Sequence, residues 1–113
     1  MNIRDMIAKA TNPKPEAFTP AGFEAPLYLR RMTIAQLFDY LAELKDKNPV
    51  ESAERTLCIA IVDENGEPVF KYDNEADRLL LSSLAPKVAM EITYKFRDLN
   101  KMGETAASGP DAT

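Results

Sequence analysis

Eight prolines divide this chain into segments whose conformations are tightly limited. A proline removes a backbone donor and clashes with the preceding turn, so it is tolerated only in a first helical turn or outside helices. Pro13, Pro15, Pro20 and Pro26 fall within residues 12–26, which rules out a helix there and makes that segment an extended connector. Pro49 and Pro86 sit where a helix can start, and Pro68 cannot donate to a β-ladder. Long helices are therefore confined to a few windows, and the apolar residues in those windows repeat at helical spacing.

Ile3, Met6, Ile7 and Ala10 share one face of a short helix over residues 2–11, with Asn2 as its cap. Leu27-Tyr28-Leu29-Arg30-Arg31-Met32 reads as a short strand or an extended lead-in. Thr33-Ile34-Ala35-Gln36 is a capping box, and Met32 and Leu37 have the spacing of a hydrophobic staple. Ile34, Leu37, Phe38, Leu41 and Leu44 follow as one apolar stripe, on a helix expected to end near Asp46.

Residues 50–62 carry a continuous apolar run, Leu57 to Val62, which periodicity alone assigns to neither helix nor strand. The expectation is a helix over about 50–61, then a turn with at most a brief hairpin. Asn65-Gly66 favours a type I′ turn, which would set Val62 opposite Val69 and Ile61 opposite Phe70. Glu64 facing Glu67, and Pro68, argue against it. Asp73 or Asn74 caps a helix through Leu81, and Ser82 or Ser83 begins the next. Ala85, Val88, Ala89, Ile92, Phe96 and Leu99 form its stripe, which ends near Asn100 with Gly103 just beyond. The stripes over 34–44 and 85–99 are expected to make one core together.

The resulting architecture is mainly α: a small bundle of about four to five helices, an extended Pro-rich N-terminal segment, and at most a minor short β element. Residues 1–26 hold the first helix and connector, 27–102 the helical domain. Residues 103–113 contain no large apolar side chain and are expected to be a flexible tail. One domain exhausts 113 residues.

Chemistry is sparse. With no histidine, Ser–His and Cys–His nucleophiles and Cys/His zinc sites are excluded within the chain. Cys58, inside the apolar run, reads as a buried hydrophobe in a reducing setting. The acidic turn Asp63-Glu64-Asn65-Gly66-Glu67 fails as a calcium loop. Counting from Asp63, Pro68 stands where glycine is needed and Asn74 where glutamate is needed. The four glycines never cluster into a phosphate loop. No cofactor is expected. Net charge is −4 and the basic residues are scattered, which argues against nucleic acid as a partner. No apolar run approaches the ~18 residues of a membrane span.

Surfaces carry the remaining signal. Leu79-Leu80-Leu81, Leu84, Tyr72, Met90 and Tyr94 add to the two stripes. Either one core absorbs them all or the remainder marks a protein–protein contact. Val69, Phe70, Leu80, Leu84 and Tyr94 are the candidate contact residues. Phe18 and Phe23, two aromatics in the Pro-rich connector, either pin it to the core or form a docking motif.

The order of elements resembles the tail assembly chaperones of long-tailed, non-contractile bacteriophages. Five segments over residues 27–102 carry the likeness. The Thr-capped helix from Met32-Thr33-Ile34-Ala35 to Leu44 is followed by the apolar segment Leu57–Ile61. Val62-Asp63-Glu64-Asn65-Gly66-Glu67-Pro68-Val69-Phe70 is similar to that family's acidic turn. Asp73-Asn74-Glu75-Ala76-Asp77 then leads to a last helix closing on Phe96-Arg97-Asp98-Leu99-Asn100. The resemblance implies a non-enzymatic chaperone that coats the tape measure protein, keeps its helices soluble and helps recruit tail tube subunits. It also implies self-association, action in the host cytoplasm and absence from the finished virion. In many relatives a frameshift yields a longer product, and such an extension would begin after Asn100.

Overall fold

The computed structural model describes residues 2–11 and 13–101. Among these lie α1 (Ile3–Lys9), β1 (Glu16–Phe18), β2 (Leu27–Leu29), α2 (Ile34–Leu44), α3 (Pro49–Ala60), β3 (Ile61–Val62), α4 (Glu75–Ser82) and α5 (Pro86–Leu99). The fold is mainly α with a minor β element. The expected tail, residues 103–113, and Gly103 lie outside the described residues.

Most helix starts are set by one side chain. Asn2, Asn48 and Asn74 accept from the N–H groups of Asp5, Glu51 and Asp77 at 2.8, 2.8 and 3.0 Å. The capping box is complete: the Gln36 N–H donates to Thr33 Oγ1 at 3.2 Å and the Thr33 N–H to Gln36 Oε1 at 3.0 Å. Each such cap stabilises its helix by about 1 kcal/mol. α5 differs from expectation. It begins at Pro86 without a side-chain cap, because both serines close α4 instead. Ser82 Oγ and Ser83 Oγ donate to the Leu79 carbonyl at 3.2 and 2.7 Å, and Pro86 supplies a preset φ for the first turn.

The ambiguous run resolves as both helix and strand. α3 ends at Ala60, and Ile61 turns straight into extended backbone at φ −89°, ψ 120°. β2 is the middle strand of an antiparallel sheet, with Tyr28 opposite both Ala17 and Val62. β1, inside the Pro-rich connector, is a strand that three residues of sequence did not announce. The type I′ hairpin does not form. Gly66 takes a positive φ of 86° but Asn65 does not, and Val62 bridges Pro68 instead of Val69. Asp63 explains the difference. Its Oδ1 accepts from the N–H groups of Asn65 and Glu67 at 2.8 and 3.0 Å, which favours a three-residue loop with glycine at the left-handed position.

α3 is the hub, packed against α2, α4 and α5. Leu29, Ile92 and Phe96 are fully enclosed, with Leu57, Ala60, Ile61 and Leu81 buried around them. Of the two stripes expected to make one core together, α5 contributes Val88, Ala89, Ile92, Phe96 and Leu99, but α2 contributes only Leu44 of its stripe. Ile34 and Phe38 stay 77% and 63% exposed and Leu41 is exposed as well. α2 is turned so that Tyr40 enters the core, with Leu44 packed at its edge. The Tyr40 ring meets Phe96 edge-on at 5.8 Å, and its hydroxyl pairs with the buried Thr56 hydroxyl at 2.9 Å. A tyrosine whose oxygen finds a partner can fill a core position.

Asn100 joins the layers. Its Oδ1 accepts from the Met32 N–H at 2.7 Å, and its Nδ2 donates to the carbonyls of Arg30 and Phe96 at 3.1 and 2.9 Å. Asn100→Ala leaves backbone groups beside the core unpartnered and should cost about 2–3 kcal/mol in chemical denaturation. Asn100→Asp keeps the acceptor but sets a carboxylate against two carbonyls, so at pH 7 it should be at least as destabilising.

Candidate functional site

Two turns and one helix build an open apolar cleft of about 560 Å³. The first turn spans Pro20–Phe23. Phe23 N–H donates to the Pro20 carbonyl at 3.0 Å, and Gly22 takes the positive φ, 89°, that a type II turn requires. Pro20 is buried, and the Ala21 N–H reaches Glu91 Oε1 on α5 at 3.2 Å. This turn holds Phe23 at the cleft.

The second turn is the acidic one. The Asp63 carboxylate organises it, and the Asp63 N–H donates to the Glu67 carbonyl at 2.8 Å. It delivers Val69 and Phe70 to the cleft, while Asp63 and Glu64 form an acidic rim. α4 supplies the third side. Its start is fixed by Asn74 and by Asp77 Oδ2, which accepts from the Lys71 N–H at 2.9 Å. Leu81 turns into the core and Leu80 stays 61% exposed at the cleft, with Leu84 beside it.

Five of the seven sequence-chosen residues, Phe23, Val69, Phe70, Leu80 and Leu84, thus line one cleft. Two do not. Phe18 packs against the core from β1, and Tyr94 is exposed on α5 outside the cleft. Sequence reasoning missed Pro26, Leu27 and Tyr28, which complete the wall. Their signal was the strand pattern itself, which does not show that β2 borders the cleft.

On the far side of the acidic turn lies a polar groove of about 650 Å³, lined by Lys14, Arg30, Arg31, Thr33, Gln36 and Asn65 among others. Its charges are largely engaged. Arg31 pairs with Glu16, which also meets Lys95 at 3.4 Å. The Arg31 hydrogen bond, helped by Lys95, holds the Glu16 carboxyl below the usual carboxylate range. Arg30 Nε donates to the Ile59 carbonyl near the end of α3 at 2.7 Å, and burial pulls its guanidinium below the ordinary value against the opposing charge of Glu67. Elsewhere Arg55 bridges Glu43 and Glu51 at 2.8 and 3.1 Å and stands over the Tyr72 ring at 4.0 Å. Among the described residues no cluster of three or more Cys, Asp or Glu is placed to hold a metal ion, and no helix is long and apolar enough to cross a membrane.

The chain matches no family model, no curated protein and no solved structure. The cleft and its residues therefore carry the functional argument.

Two measurements follow from this geometry. Leu80→Asp should leave stability within about 0.5 kcal/mol of the parent, because the side chain is mostly solvated, whereas Phe70→Ala, half-buried against the core, should cost about 2 kcal/mol. Cys58 is buried and its thiol is pushed up to about 11, first by burial and then by Asp77 and the glutamates nearby. It should resist a thiol reagent at pH 8 in the native state and react at once in denaturant. The folded state holds this proton more tightly than the unfolded one. Its contribution to stability is therefore complete below about pH 9 and lost as pH rises towards 11.

Proposed function

We propose that this chain is a non-enzymatic tail assembly chaperone of long-tailed bacteriophages, which holds apolar helices of the tape measure protein in the cleft between the acidic turn and α4. The observation that carries this is the cleft itself. Phe23, Val69, Phe70, Leu80 and Leu84 come from three separate segments, yet converge on one open apolar surface. An amphipathic helix lays its apolar face into such a groove and needs no covalent chemistry to be held there. The acidic rim at Asp63 and Glu64 and the net charge of −4 keep the occupied and empty forms soluble.

The sequence resemblance supports the same reading. The acidic turn quoted for it is the turn that presents Val69 and Phe70, and the closing Leu99-Asn100 provides the amide that joins α5 to β2 and α2. On this proposal the protein acts in the host cytoplasm, recruits tail tube subunits through a longer product that extends beyond Asn100, and is absent from the finished virion.

Co-expression with a tape measure protein tests the proposal. The wild-type chain should keep that protein soluble. Leu80→Asp should weaken the captured complex about tenfold or more while remaining folded itself. A tape measure protein that stays insoluble with the wild type, or is equally soluble with Leu80→Asp, would overturn it.

A further inference from the structure

The apolar cleft carries charge of one sign. Asp63 and Glu64 stand on its rim, and among the described residues no lysine or arginine borders it. Lys14, Arg30 and Arg31 line the polar groove instead, and Glu64 stands on the crest between groove and cleft. Two of those cations are already opposed, Arg30 by Glu67 and Arg31 by Glu16. The two rim carboxylates differ in what they do for the fold. Asp63 Oδ1 is committed to the N–H groups of Asn65 and Glu67. Glu64 is exposed, and among the described residues no hydrogen bond or ion pair engages its carboxylate.

Resting on the reading of the cleft as a helix-holding groove, we infer that it selects amphipathic helices carrying lysine or arginine beside their apolar face. Phe23, Val69, Leu80 and Leu84 would seat the apolar face of any such helix. The rim adds the choice among helices. A cleft lined by one sign of charge between apolar walls focuses that field on whatever enters. A lysine or arginine stem can lie along Val69, which is about half exposed, and carry its head group to the Glu64 carboxylate. A glutamate in the same place meets two like charges. On the α4 side, Leu80, Leu81 and Leu84 bring no charge, so the cations belong on the flank that meets the acidic turn. Rim charges of this kind govern encounter and choice of partner more than final affinity. Apolar burial holds the helix, and Glu64 sorts it.

Three synthetic amphipathic peptides test this, with one apolar face in common and lysine, glutamine or glutamate at the flanking positions. Their binding to the full-length chain is read by fluorescence anisotropy in low salt. The lysine peptide should bind about tenfold more tightly than the glutamate peptide, with glutamine between them. In roughly 1 M salt, where the screening length falls to ~3 Å, the gap should close. Glu64→Lys should abolish or reverse the order. Asp39→Lys changes the net charge equally from an exposed site on α2 outside the cleft, and should preserve it. Circular dichroism checks that both variants are folded, and Glu64→Gln and Asp39→Asn replace them if either is not.

Equal affinity for the three peptides, binding of none of them, or a preference removed as fully by Asp39→Lys as by Glu64→Lys would overturn the inference. The last result would assign the selection to overall charge instead of the rim. Co-expression reads the chaperone proposal separately. A lysine preference beside a tape measure protein that stays insoluble overturns that proposal and supports the selection. A tape measure protein kept soluble by a cleft indifferent to flanking charge does the reverse.

Discussion

The side-chain amide of Asn100 is the interaction that ties α5 to the link between β2 and α2. β2 is three residues long, and beyond Leu29 its chain leaves the sheet while still lying against α5. Backbone groups in such a place must find partners, because water reaches them poorly. Asn100 serves both polarities, taking the Met32 N–H and giving to the Arg30 carbonyl, and ties itself to its own helix through Phe96. Arg30 adds the other half. Its N–H donates to the Ala60 carbonyl at 2.9 Å and its Nε to that of Ile59. The point where β2 becomes α2 is thus fixed to the ends of both α3 and α5. That anchoring sets the start of α2 at Thr33 and lets Tyr40 meet Phe96.

The cleft is a consequence of the same arrangement. α3 passes into β3 without a loop, so Ile61 and Val62 line the cleft together with Leu81 of α4 and Ile92 of α5. The sheet is short and its partner segments depart quickly in different directions. The Pro20–Phe23 turn bends towards α5, and the chain beyond Pro68 bends towards α4. The space between them is walled by apolar side chains of both segments. Closing it would require a longer β3, which Pro68 and the Asp63-centred loop prevent.

What could be read from sequence was chemistry that acts within three or four residues. Asn2, Thr33 with Gln36, and Asn74 satisfy N–H groups one turn away, so the pattern alone reveals them. The misreadings arose where a local signal competed with a distant one. The Asn65-Gly66 turn is not among them: the expectation of a turn with at most a brief hairpin holds, and the carboxylate of Asp63 shapes its loop. Ser82 and Ser83 are plausible helix starts, yet they bond backwards to Leu79. α2 is apolar around much of its circumference, and periodicity selected Ile34, Phe38 and Leu41, the side that faces solvent. Tyr40 decided the rotation because its hydroxyl has a buried partner in Thr56, sixteen residues away and outside any local pattern. For the cleft, sequence supplied the apolar residues but not their convergence. Phe23 shares the cleft with Leu80 from a turn in which Gly22 takes the positive φ.

The core and the exposed apolar surface are separable, and that separation matters for reversible binding. Leu29, Ile92 and Phe96 are enclosed, and the α3 hub reaches α2, α4 and α5. Leu80 and Val69 stand outside that core, Leu80 mostly and Val69 about half exposed. A partner that covers them gains apolar burial of about 25 cal/mol per Å², and its departure returns the fold to a state that already stands. The cleft walls rest on turns held by Asp63 and Gly22 and on a helix held by Asn74, and Ile61, Leu81 and Ile92 join them from the core.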